Sequence, residues 1–104
     1  SAALRILGWR VVPMHYINTR VLAAVQAPGN SLDMSFYHAC ETTHCRAGWQ
    51  IVLHPAGREL EAALGSWLAG AVISLASTGE VPDFFASDED AMEDIERCAA
   101  KEAA

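Results

Sequence analysis

Basic residues are scarce in this chain. Seven Lys and Arg stand against thirteen Asp and Glu among 104 residues, giving a formal charge of −6 and a pI near 5.0. Nucleic-acid binding draws much of its affinity from cations set against phosphates, so this shortage removes nucleic acid from the expected partners. Long apolar runs are missing too. The longest, Trp67–Leu75, falls far short of the roughly 20 residues that span a bilayer, and Ser1–Leu7 carries a lone Arg5 without a leader pattern. The expectation is no membrane and a cytoplasmic location. Three cysteines make an odd set, unlike a secreted disulfide framework, and fit a reduced interior. No phosphate-cradling glycine loop, paired-carboxylate motif or nucleophile elbow is present, and neither is an internal repeat or a low-complexity linker.

What the chain does have is apolar content. At 52% hydrophobic and 19% charged it exceeds what a disordered chain carries, and 104 residues suit one domain that needs no metal or disulfide staple. The expected organisation is a single domain over residues 1–104: an extended arm (1–15), broken by Gly8 and Pro13, and a helical core (16–104). Asn18 offers an N-cap for a helix from Thr19 that ends before Ala27-Pro28-Gly29-Asn30. Residues 31–39 alternate, with Leu32, Met34 and Phe36 against Ser31, Asp33 and Ser35, which reads as a short strand whose partner is the arm.

Thr42 or Thr43 would cap a central helix over 43–54, apolar most of the way round, with Pro55 as its stop. A shorter helix follows over 56–64, then a charge-free one over 67–77 whose Gly70 predicts close approach to Gly48. Phe84 and Phe85 should fold back on the core. Ser87 and Asp90 approximate a capping box for a last helix over 88–101, with Ala91, Met92, Ile95, Cys98 and Ala99 as its inner stripe. The fold class is therefore mainly α: a compact bundle of four to five helices with an extended N-terminal arm and one short β-hairpin or strand pair.

The unusual chemistry lies in His38-Ala-Cys40-Glu-Thr-Thr-His44-Cys45. Zinc takes thiolate and imidazole ligands, but four donors in eight residues are denser than the separated pairs of ordinary sites. His38, Cys40, His44 and Cys45 are nevertheless the metal candidates, with His54 or His15 as an outside ligand. Catalysis would use Cys45 as nucleophile in a helix's first turn, where the dipole lowers a thiol pKa, with His38 or His44 as base and Glu41 to orient it. The plainer reading makes the same residues interior lining, since Cys packs as a small hydrophobe. On that reading there is no catalytic residue, no cofactor and no metal.

The stretch from Asp33 to Trp49, above all Thr42-Thr-His-Cys-Arg-Ala-Gly-Trp49, resembles an uncharacterised small domain of phage and proteobacterial reading frames that sometimes follows pentapeptide repeats. Ala76–Phe85 and Asp90–Cys98 extend the likeness to roughly residues 12–100. The resemblance implies mobile-element cargo of a bacterial genome and assigns no site residues. The function expected is a non-enzymatic protein-interaction module. It would be a homodimer, because Leu4, Ile6, Leu7, Trp9, Val11 and Val12 crowd the arm and would form an apolar patch if left bare. Two alternatives stand beside it. One is a small Cys/His enzyme or zinc domain. The other is an acidic decoy for a basic partner, since nine acids and only two bases follow position 79.

Overall fold

The computed structural model describes residues 3–6 and 8–104. The arm folds as a short hairpin. β1 (Leu4–Ile6) and β2 (Trp9–Val11) pair antiparallel, with Leu4 opposite Val11 and Ile6 opposite Trp9. Alternation along such a pair sends one set of side chains to one face. Here Val11 is buried and Leu4, Ile6 and Trp9 pack half-buried on the core. Leu7 lies outside the described residues. The apolar arm is thus largely covered by its own chain, so a bare arm gives no reason for a dimer. Ser77 Oγ accepts from the Met14 N–H at 2.9 Å, and His54 Nε2–H donates to the Val12 carbonyl at 2.8 Å. These bonds fix the arm's exit. His54 Nδ1 accepts from the Ala56 N–H, so this buried ring bridges the arm and the start of α3.

Five helices follow among the described residues: α1 (Ile17–Gln26), α2 (Arg46–Leu53), α3 (Gly57–Leu64), α4 (Ser66–Thr78) and α5 (Asp88–Ala103). The core joins Val11, Met14, Ile17, Val21 and Val25 to Trp49, Ile51, Leu60, Val72, Ile73 and Ile95. α1 begins two residues earlier than its capping signal. Tyr16 holds the N-cap position in a left-handed conformation, makes no side-chain cap, and no acid stands in the first turn. The cap comes instead from α5. Glu102 accepts from the Asn18 and Thr19 backbone N–H groups (3.1 and 2.8 Å), from Asn18 Nδ2 (2.9 Å) and from Thr19 Oγ1 (2.8 Å). A carboxylate on a helix N-terminus also suits the macrodipole.

Residues 31–44 hold a second small sheet. β3 (Ser31–Leu32) runs parallel to β5 (Thr43–His44), and β4 (His38–Cys40) pairs antiparallel with β5, which is central. The alternating stretch 31–39 is therefore two strands around a turn, and β3 pairs with β5 and not with the arm. Thr43 is a strand residue, so α2 starts three residues later than expected. Its N-cap is Cys45, whose Sγ accepts from the Gly48 N–H at 3.4 Å.

The two glycines meet different neighbours from those anticipated. A Cβ on Gly70 would come within 2.8 Å of the Ala47 Cβ, whereas one on Gly48 would overlap the Tyr37 carbonyl oxygen. Gly70 lets α4 approach α2, and Gly48 lets the β4 lead-in cross α2. α4 is not buried all round, because Trp67 and Leu75 are exposed. Ser87 caps α5 as expected, with Oγ accepting from the Asp90 N–H at 3.1 Å. Of the two loop phenylalanines, only Phe84 is buried.

Candidate functional site

The sheet brings the two histidines of the cluster together and sends the two cysteines elsewhere. His38 on β4 lies opposite His44 on β5, and their Nδ1 atoms are 2.7 Å apart. His38 Nε2 contacts Glu61 Oε2 of α3 at 2.6 Å, and His44 Nε2 contacts the Glu41 carbonyl at 2.9 Å. His44 is 0% exposed and meets Trp49 edge-on, with ring centroids 4.6 Å apart.

Donor accounting fixes the protons in this chain. The Glu41 carbonyl only accepts, so His44 Nε2 carries hydrogen. The Nδ1–Nδ1 contact needs one more, and the Glu61 contact a third. Two neutral imidazoles supply two. The third lies between His38 Nε2 and Glu61 Oε2. Burial pushes Glu61 up, but hydrogen bonds from Ser66, His38 and Arg58 outweigh it and leave the carboxyl below its ordinary value. The Ser66 hydroxyl donates to Glu61 Oε2 at 2.8 Å. It contacts the carboxylate and not an imidazole, so this constellation gives no activated serine. The chain His44–His38–Glu61 clamps the small sheet to α3.

Cys45 is 2% exposed. Burial raises its thiol pKa, against partial relief from backbone donors at Gly48 and Ala47. The expectation of a dipole-activated Cys45 nucleophile is thereby corrected: the sulfur sits at the N-cap, and desolvation outweighs the helix end. Cys40 is the opposite case. It is exposed, its Sγ lies 3.4 Å from Thr42 Oγ1, and hydrogen bonds from Thr42 and Thr43 lower it to about 7. With His54 bonded to Val12 and Ala56 and His15 exposed, no group of three or more His, Cys, Asp or Glu among the described residues is placed to hold a metal ion.

Sequence reasoning overlooked the main concavity. A cleft of about 560 Å³ opens between the start of α1, α2, the end of α4, the 80–86 loop and α5. Four buried polar side chains line it: Asn18, Arg46, Gln50 and Ser74. Arg46, 2% exposed, donates through Nη1 to Asp94 Oδ2 at 2.5 Å and through Nη2 to Asn18 Oδ1 at 2.7 Å. Its Nε is buried without a hydrogen-bond partner. The Arg46 hydrogen bond, with its charge, holds Asp94 below the usual carboxylate range against some burial. Ser74 Oγ donates to Gln50 Oε1 at 2.9 Å. The signal was available: Arg46 and Gln50 stand four apart on one face of a helix otherwise apolar.

A second hollow, about 110 Å³, lies on the face where the 34–37 turn meets the 84–85 turn. It is lined by Met34, Tyr37, Cys45 and Phe84 and flanked by Phe36 and Phe85. Among the described residues, no helix is long and apolar enough to cross a membrane. Set against family models, curated proteins and solved structures, the chain matches none of them.

Proposed function

We propose that the protein is a non-enzymatic interaction module that pairs with a second copy of itself through the face bearing Phe36 and Phe85. The observation that carries this is the pair of rings. Phe36 is 58% and Phe85 76% exposed, and both border an apolar hollow. Exposed aromatic rings beside a concavity are typical of the anchors that dominate protein interfaces. A projecting ring next to a hole on one face is the self-complementary unit that an isologous two-fold contact requires. The dimer thus rests on this face and not on the arm.

Chemistry at the Cys/His cluster has less support, because each of its buried members already has a packing or hydrogen-bonding duty. The free thiols of Cys40, Cys45 and Cys98 fit a reducing, cytoplasmic setting. Cargo carried on a bacterial mobile element rests on the motif resemblance alone.

The rim of the face is acidic. Asp33, Asp83 and Asp88 accept from the backbone N–H groups of Ser35, Phe85 and Met34, all three of which line the hollow. Like charges facing across a two-fold axis repel, so raising NaCl from about 0.05 to 0.5 M screens them and strengthens the dimer. Sedimentation at micromolar concentration tests this. A Phe85→Ser chain is expected to shift to monomer. An 11.2 kDa monomer at every salt concentration, or a dimer indifferent to Phe85→Ser, overturns the reading. The acidic-decoy alternative is favoured by the exposure of Asp88, Glu89, Asp90, Glu93 and Glu96 along α5. It predicts the opposite salt response, with binding to a basic partner fading as salt rises.

A further inference from the structure

The 560 Å³ cleft lies within the range of small-molecule pockets, roughly 300–1,000 Å³. It shares no lining residue with the hollow beside Phe36 and Phe85. Its floor is unusual in composition. Buried polar groups are costly unless partnered, yet Asn18, Arg46, Gln50 and Ser74, from three helices, converge on one hollow. Three of them form bonds that close on each other or on the protein: Asn18 with Arg46 and Glu102, and Ser74 with Gln50. Arg46 does not close its set. Two of its nitrogens have carboxylate or amide partners, and Nε–H has none. The Gln50 oxygen accepts from Ser74, which leaves its NH2 to donate. The floor therefore presents donors and calls for an acceptor oxygen.

The mouth has the opposite character. Glu80, Asp83, Asp90 and Glu93 are exposed around it. Asp94 is engaged by both Arg46 and Arg97 and balances one of them, so two cations of the lining, one guanidinium and the Lys101 ammonium, stand against the four carboxylates of the mouth. Four carboxylates against two cations leave the mouth negative, which favours a positively charged group there and repels phosphates and other anions. Between floor and mouth, Ile17, Val81, Pro82 and Ala91 supply apolar walls.

We propose that this cleft binds a small organic cation bearing a carbonyl or hydroxyl oxygen, with the oxygen on Arg46 Nε–H and the ammonium or guanidinium among Asp90, Glu93 and their neighbours. An amide-bearing basic molecule has this chemistry. An anionic metabolite does not.

The test uses the full chain and three probes: L-argininamide, agmatine (which keeps the charge and lacks the carbonyl) and Nα-acetyl-L-citrullinamide, hereafter citrullinamide (which keeps the carbonyl and, with its α-amine blocked and a urea for a guanidinium, carries no charge). Calorimetry gives affinity, and two-dimensional nitrogen–proton NMR follows the Arg46 Nε–H signal. Argininamide is expected to bind saturably with Kd below about 1 mM and to move the Arg46 signal. Agmatine and citrullinamide each bind more weakly, and only citrullinamide of the two moves that signal. The exposed double substitution Asp90→Asn, Glu93→Gln leaves the core intact and weakens argininamide about fivefold, the scale of two exposed ion pairs, while citrullinamide is unaffected. Absence of saturable binding by all three probes at about ten times that limit overturns the proposal. So does argininamide binding that leaves the Arg46 signal unmoved, or affinity for argininamide unchanged by the double substitution.

Discussion

Replacing Glu102 by alanine removes the cap on α1, whose Thr19 lies 83 residues upstream. Four donors lose their acceptor together. Thr19 is exposed, so water replaces the carboxylate at its N–H and hydroxyl at little cost. Asn18 is buried, and its N–H and Nδ2 are left without a partner. An N-cap is worth typically about 1 kcal/mol, and an orphaned buried donor costs about 1–3 kcal/mol. The effects overlap because one carboxylate serves all four contacts, so a loss of ~2–3 kcal/mol is expected. That corresponds to a Tm lower by roughly 10–20 °C in a domain of this size. Glu102→Gln keeps one acceptor oxygen and is expected to lose about half as much.

The effect depends on pH in a defined direction. Burial pushes the Glu102 carboxyl up, but donation from Thr19 and Asn18 outweighs it and leaves the group below its ordinary value. A depressed folded pKa contributes stability that is full above the unfolded value of about 4.3 and is lost as pH falls through the folded value. Urea unfolding of both chains at neutral pH and down to about pH 3 reads this directly. The gap between wild type and Glu102→Ala is wide at neutral pH and closes below about pH 4. Glu61 and Asp94 are depressed in the same sense, so the wild type weakens over that window as well. A neutral-pH difference under about 0.5 kcal/mol, the scale of an ordinary surface substitution, or a gap that does not narrow in acid, refutes the capping argument.

Two further outcomes follow from the same geometry. Iodoacetamide at neutral pH, followed by peptide mass spectrometry, is expected to label Cys40 first and to leave Cys45 protected until the chain unfolds, because Cys40 is exposed and lowered to about 7 while Cys45 is buried and raised. Equal labelling rates would contradict this. Gly48→Ala places a methyl against the Tyr37 carbonyl, where only backbone movement relieves the overlap; a loss of about 1–3 kcal/mol in urea unfolding is expected, and an unchanged midpoint would show that the 37–48 crossing yields easily.

The helices were legible where local signals stood alone. Ser87, the acids behind it and the stripe through Ile95 gave α5 nearly to the residue. α4 runs from Ser66 to Thr78 between Gly65 and Gly79, close to the expected 67–77. Legibility failed where a side chain with local meaning had a distant use. Asn18 reads as a cap, but Arg46 and Glu102 claim its side chain, and α1 starts earlier. Thr43 reads as a cap, but Ser31 claims its backbone as a strand partner. Cys45, an uncommon capping residue, takes its place. The pairing of His38 with His44 follows from a strand register that no spacing rule supplies. The cleft escaped notice because its polar floor is spread over α1, α2 and α4, one or two residues on each.

Thr43, His44 and Cys45 are consecutive, and they serve strand pairing, the histidine clamp and the α2 cap in turn. Side chains alternate faces along a strand, so slipping by one position would exchange all three roles at once. An insertion or deletion here therefore costs more than replacing any one of the three. Length change belongs instead at the exposed Pro28–Gly29 bend, where an added loop or a grafted tag would leave the small sheet in step.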